Sequence, residues 1–266
     1  AQKKPKSVSN WWGAPPERMR RVEATVDAGA TDSAEALTYA PPLRLKALRG
    51  VVETLRLLAP MTSALLLAGT LGAMLWLYKS FGLAIAWATS GLVLMVAGAV
   101  AMGITVLVKW ICVGRHRAAD HPLWSSFVWL NELQDTFVEA VAAPWFFQHT
   151  MGTAALNTGL RALGVHIGRG AWIESYWFPE TDLCYVGRGA SVGPGTVVQT
   201  HLFQDRVMSL DTVTLSDGAT LASHSVSLPA SHIGEATTVG PGSLVMRGDQ
   251  VPSQSYWQGN PIEPRG

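Results

Sequence analysis

The chain has 266 residues, 48% of them hydrophobic and 15% charged, with a formal net charge of +1. So even a balance argues against a nucleic-acid partner, which would need a concentrated basic face. With only two cysteines, Cys112 and Cys184, a disulfide-stapled framework is excluded and both are expected to be reduced thiols.

Residues 1–33 contain no apolar run of the kind a signal peptide needs. They do carry S-V-S-N-W-W-G-A-P-P-E from Ser7, which matches S-Q-S-Y-W-Q-G-N-P-I-E from Ser253 at Ser, Ser, Trp, Gly, Pro and Glu without a gap. Residues 1–33 therefore read as the tail of a preceding repeat unit followed by a linker, which makes the sequence a fragment of a longer chain. Residues 34–56 form a basic segment bearing Arg44, Lys46, Arg49 and Arg56.

Residues 57–78 and 80–108 contain no charged side chain. At ~1.5 Å per helical residue, each stretch is long enough to cross a bilayer core of ~30 Å. A transmembrane helical hairpin over 57–108 is expected, with Lys79 at its tip. Lys109, Arg115 and Arg117 follow, so basic residues flank both ends and place both on the cytoplasmic side. The chain is thus expected to be an integral protein of the cytoplasmic membrane, in contact with lipid.

Residues 109–165 carry Trp124, Phe127, Trp129, Phe137, Trp145, Phe146 and Phe147 among polar residues, a density that suits interfacial or linker helices. A helix over 123–141 would put Leu123, Phe127, Leu130, Phe137 and Val141 on one face, with Pro144 as a break.

From Ile167 to Val251 an aliphatic residue returns every six positions with glycine or another small residue beside it: I-G-R-G-A-W, V-G-R-G-A-S, V-G-P-G-T-V, and later L-S-D-G-A-T, I-G-E-A-T-T and V-G-P-G-S-L. This is the signature of a parallel β-helix of hexapeptide repeats, in which each step is a short strand and a turn and three steps make a coil. Coils begin near Ile167, Val186, Leu215 and Ile233, giving about four, with one imperfect step at Ser227. Residues 204–212 do not fit the frame and must leave the prism as a loop, a common location for function. The β-helix domain is assigned to 166–266.

Several segments together resemble the C-terminal region of membrane-embedded nonribosomal peptide synthetases of the ε-poly-lysine synthetase type. They are H-P-L-W-S-S-F-V-W-L-N-E-L-Q-D-T-F-V-E from His121, P-E-T-D-L from Pro179, Q-T-H-L-F-Q-D-R from Gln199 and W-Q-G-N-P-I from Trp257. The resemblance spans most of the chain. It implies a left-handed β-helix similar to hexapeptide acyltransferases and sister β-helix units packed as a trimer or pseudo-trimer. It also implies adenylation and carrier domains upstream. No cofactor would be bound directly; the acyl donor would be an aminoacyl or peptidyl thioester on the carrier's phosphopantetheine, and the acceptor the amine of an amino acid. This chain would be the last of the tandem units.

An amine with a pKa near ~10 is protonated at neutral pH and needs a base that titrates near neutrality before it can attack a thioester. His201 fits that role, three positions after Val198, beside the break in the repeat and within the T-H-L-F-x-D-R pattern. Asp205 would orient the imidazole or hold the acceptor ammonium, and Arg206 would bind an acceptor carboxylate or the phosphopantetheine phosphate, unless the two simply pair and shape the loop. Glu174, Asp182 and Gln199 are supporting or substrate-binding candidates. His166, His224 and His232 are read as surface or packing residues. His201, His224 and His232 fall at different phases of the repeat, and His116 and His121 lie outside it, so no metal site is expected. Two other functions compete with amide formation: a catalytically silent scaffold unit, and a coenzyme A-dependent acetyltransferase.

Overall fold

The computed structural model describes residues 11–12, 17–18, 40–204 and 206–265. The chain divides into two compact units, residues 1–40 and 41–266. In the first, Trp11–Trp12 and Glu17–Arg18 pair as an antiparallel hairpin, Trp11 opposite Arg18 and Trp12 opposite Glu17. In the second, Tyr256–Gln258 and Glu263–Pro264 form a hairpin with Trp257 opposite Pro264 and Gln258 opposite Glu263. Residue for residue, the two registers follow the match between the sequence segments from Ser7 and Ser253. The likeness is therefore one of backbone pairing as well as of letters.

The second unit begins with helix α1 (Leu43–Arg56), followed by α2 (Leu58–Phe81) and α3 (Leu83–Cys112). Gly82 alone separates α2 from α3, at φ +84°, a conformation that costs a residue without Cβ little. Both helices are long and apolar enough to cross a membrane. They also leave large apolar side chains uncovered, among them Leu65, Trp76, Trp87, Met95 and Ile111.

Helix α4 (Ser126–Phe137) starts at Ser125, whose hydroxyl accepts from the Val128 N–H. Pro144 does not act as the expected break. Beyond Phe137 the chain runs on as a π-helix, Val138–Phe147, whose wider i→i+5 spacing takes the proline in without ending the helix. The π-helix packs against α3 at Gly98, where a Cβ would come within 2.6 Å of the Trp145 carbonyl oxygen, and the Trp145 indole donates to the Ser63 hydroxyl of α2 at 2.7 Å. The apolar face is also broader than the expected stripe: Val128, Trp129, Leu133, Phe137 and Val141 are buried with Met208 and Leu210, while Leu123, Phe127 and Leu130 pack around them. Helix α5 (Ala154–Leu163), with Thr153 as its cap, leads into the repeat.

Residues 166–258 wind through three parallel sheets, the first two built of five stacked strands and the third of three. The first stacks Ile167, Val186, Leu215, Ile233 and Val251 in register, and the second stacks Ile173, Val192, Leu221, Val239 and Trp257. The third stacks Val198, Ser227 and Val245. The period read from the sequence places these residues inward, and nearly all are buried in one continuous core. Ser227, the imperfect step, is also buried, its hydroxyl 2.7 Å from that of Ser231, so polarity inside the prism is satisfied locally.

Residues 204–212 are not an irregular loop. Chain from His201–Gln204 turns back into Val207–Leu210 as an antiparallel hairpin, and Asp120–Pro122 adds a third strand beside Val207–Leu210. The frame is broken there because an arm is inserted between the second and third coils. The arm pairs with the segment that leaves α3, and so ties the repeat to the helices.

Leu221 sits at the centre of the stacked core, fully buried. Replacing it with Ala should cost about 2–5 kcal/mol through lost burial and an unfilled cavity. Thermal denaturation of the detergent-solubilised chain reads this as a lower midpoint, and an unchanged midpoint would contradict the packing described.

Candidate active site

The third sheet's first strand, Val197–Val198, runs out through Gln199 and Thr200 into His201 at the root of the arm. Just before the second coil, the chain makes a single 3-10 turn, Thr181–Leu183, preceded by Glu180. The two segments meet. His201 Nδ1 lies 2.9 Å from both carboxylate oxygens of Glu180. Thr200 Oγ1 donates to Glu180 Oε2 at 2.6 Å and accepts from the Glu180 N–H at 3.1 Å. From α4, Asn131 Nδ2 donates to Glu180 Oε1 at 2.9 Å.

Glu180 is fully buried, whereas the His201 side chain keeps 19% of its surface. Burial by itself would push the Glu180 carboxyl up, but the hydrogen bonds from His201 and Thr200 hold it below the ordinary carboxylate range. An ionised carboxylate on Nδ1 fixes the imidazole plane and its tautomer, leaving Nε2 as the nitrogen able to take up a proton. Phe203 stands edge-on to the His201 ring at 5.5 Å.

Two residues along the turn, Asp182 holds a second cluster. Its Oδ2 accepts from Lys109 Nζ at 2.7 Å, from the His116 backbone N–H at 2.9 Å and lies 2.9 Å from His116 Nδ1. These contacts outweigh burial and hold the carboxyl at about 2. Lys109 is fully buried, its Nζ 3.5 Å from the centre of the Trp110 ring. Gly164, at φ +122°, leaves room for this carboxylate, since a Cβ there would meet Asp182 Oδ1 at 2.6 Å. The other ring nitrogen of His116, Nε2, is 2.9 Å from Asn131 Oδ1, which joins the two clusters into one chain of contacts.

The residues singled out from the sequence are therefore placed unequally. Gln199 supports His201 from behind, its amide donating to the His201 carbonyl at 3.1 Å. Asp182 stands one cluster away, on Lys109 and His116. Glu174 follows a strand of the second sheet and, among the described residues, makes no hydrogen bond to the His201 cluster. Arg206 sits exposed in the turn of the arm at φ +61°, with its carbonyl accepting from the Leu123 N–H, and Asp205 lies outside the described residues. Glu180, Asn131, His116 and Lys109 went unassigned. Glu180 stood within P-E-T-D-L, Asn131 within the aromatic segment and His116 just before it, but only the fold brings them to His201. Cys184 is buried, which pushes its thiol well above the usual range and disqualifies it as a nucleophile.

No protein-family profile matches the chain. Over 259 residues it is 30% identical to delta-poly-L-ornithine synthetase of Acinetobacter baumannii (strain AB307-0294), a match covering 96% of this chain and 19% of that protein. The chain thus spans about a fifth of that relative's length. Among solved structures it is similar to a hexapeptide-repeat acetyltransferase of Vibrio cholerae complexed with acetyl coenzyme A, at 16% identity and a TM-score of 0.33, covering 44% of this chain and 81% of that one. A galactoside acetyltransferase in complex with coenzyme A gives 17% identity and a TM-score of 0.36, covering 45% and 74%.

The Asp182 cluster has a pH consequence. Its folded value of about 2 lies below the unfolded value of ~3.9, so its contribution to stability is complete above pH ~4 and is lost as pH falls toward 2. Asp182→Asn should remove that part of the acid sensitivity and lower the midpoint at neutral pH, because the buried Lys109 loses its counter-charge. Denaturation midpoints of parent and variant between pH 2 and 7 check both, and parallel curves would contradict the assignment.

Proposed function

We propose that this unit forms amide bonds, transferring an aminoacyl or peptidyl group from a carrier-protein phosphopantetheine thioester to the amine of an amino acid, with His201 as general base. The observation that carries the reading is the Glu180–His201 pair: an imidazole held through Nδ1 by a buried, multiply hydrogen-bonded carboxylate, at the root of an arm on a hexapeptide-repeat prism. His201 Nε2 takes the proton from the attacking ammonium or amine, the amine nitrogen attacks the thioester carbonyl, and collapse of the tetrahedral intermediate expels the thiolate, which regains a proton. Glu180 stays ionised and stabilises the imidazolium that forms.

Similarity to a poly-L-ornithine synthetase supports an amino acid as the acceptor. The left-handed winding, the sister units completing a threefold set, and the upstream adenylation and carrier domains belong to the same proposal. So does the unit order, in which residues 1–33 close a preceding unit, 34–56 lead into the membrane, 57–108 cross it, 109–165 link and 166–266 carry the chemistry. Arg206, on the turn of the arm, and Asp205, its neighbour in sequence, are proposed to bind the acceptor. The prism is assigned to the cytoplasmic face, where carrier domains would be loaded. The apolar surfaces of α2 and α3 support a membrane placement.

Single-turnover transfer from ornithyl- or lysyl-pantetheine thioester to free ornithine or lysine tests the chemistry. His201→Ala should slow transfer about 10²- to 10⁴-fold, and Glu180→Gln should slow it by disturbing the imidazole. Transfer by the His201 variant at the parent rate would make the unit a scaffold. Acetyl transfer from acetyl coenzyme A with no reaction of the thioester would favour a free-standing acetyltransferase.

Cysteines introduced at Arg44 and Arg115 should be labelled from the cytoplasmic side only, and one at Ser80 from outside. The reverse pattern would separate the prism from its carrier donor.

A further inference from the structure

The contacts of His116 fix its charge. Asp182 Oδ2 is a carboxylate oxygen and can only accept, so His116 Nδ1, 2.9 Å away, must carry a hydrogen. At 2.9 Å from Nε2 stands Asn131 Oδ1, and that amide's nitrogen is already directed at Glu180 Oε1. Turning the amide over would set its oxygen against the carboxylate, so Oδ1 stays toward His116 and Nε2 must also carry a hydrogen. Both ring nitrogens are donors. We infer that His116 is a buried imidazolium, and that its positive charge and its hold on Asn131 position the Glu180–His201 pair and keep His201 unprotonated and available as a base at neutral pH.

The charges around it bear this out. From α3 comes Lys109, paired with Asp182, with Arg115 beside His116 in the chain; from the turn come Asp182 and Glu180; from α4, Asp135 faces Glu180. Burial, followed by the negative charge of Glu180, pushes the Asp135 carboxyl well above its usual range. Lys109 and His116 both touch Asp182, and His116 reaches Glu180 through Asn131, so two cations answer the two carboxylates. A proton on His201 would then be a surplus charge. If His116 were neutral, Glu180 would lack its partner and His201 would supply the positive charge instead, occupying the lone pair that the reaction needs. The Phe127 ring, edge-on to His116 at 6.3 Å, helps close the site, and the His116 side chain has no exposed surface.

This positioning role rests on the reading of His201 as the base, but the charge of His116 does not. In the detergent-solubilised chain with 15N-labelled histidine, assigned by loss of the signal in His116→Gln, both His116 ring nitrogens should resonate as protonated from pH 6 to 8. An unprotonated nitrogen at pH 7 would overturn the inference. In the thioester assay, His116→Gln should slow transfer about 10²-fold at neutral pH through misplacement of the base, and should move the acidic limb of the kcat/KM profile to higher pH. A uniform loss at every pH, with the limb unmoved, would reduce His116 to a structural residue and overturn the positioning role. If the parent chain transfers nothing at any pH, the reading of the function fails while the nitrogen signals still decide the charge.

Discussion

The 3-10 turn Thr181–Leu183 and the glutamate before it bind the molecule together. Within three residues it presents two buried carboxylates in different directions, Asp182 toward Lys109 at the end of α3 and Glu180 toward His201 at the root of the arm. Neither carboxylate could stay buried alone, because an unpaired buried charge costs several kcal/mol. Each therefore demands a partner from another element: Lys109 and His116 for the first; Asn131, Thr200 and His201 for the second. The helices, the arm and the coils are held at one point by charges that must be satisfied together. Packing of Leu183 in the same apolar cluster as α4, Met208 and Leu210 seals that point from water.

Most of the scaffold could be read in the sequence because its physics is local and repetitive. A hexapeptide step tells its own inward residue, so Ile167, Val186, Leu215 and Ile233 could be named as coil starts, and they do stack in one sheet. The apolar helices announce themselves by lacking charge. What failed was what depends on hydrogen bonds between distant segments. Residues 204–212 gave no periodicity and so read as a loop, although pairing with Asp120–Pro122 makes them an arm. Pro144 signals a helix end in an α-helix, but a π-helical stretch tolerates it.

The site divides along the same line. His201 was visible because it interrupts a pattern, and Gln199 because it stands beside it. Glu180 was not, since nothing in the letters says that a glutamate 21 positions upstream will lie 2.9 Å from the imidazole. Lys109 read as one of the basic residues that orient a membrane hairpin, and position alone supports that. Its complete burial against Asp182 gives it a task that no charge count could reveal.

That buried pair has a consequence for how the parts can move. The segment leaving α3 contributes first Lys109, then His116, then the strand Asp120–Pro122, so within fourteen residues it touches both carboxylate clusters and the arm that carries His201. Tilting α3 relative to the prism would have to break the Lys109–Asp182 pair inside a water-excluded site, where the cost is largest, or carry the turn along with it. The second course shifts Glu180 and so turns the imidazole. The geometry at His201 is thus fixed from the helix side as firmly as from the prism side, and the position of the helices reaches the imidazole through the 3-10 turn.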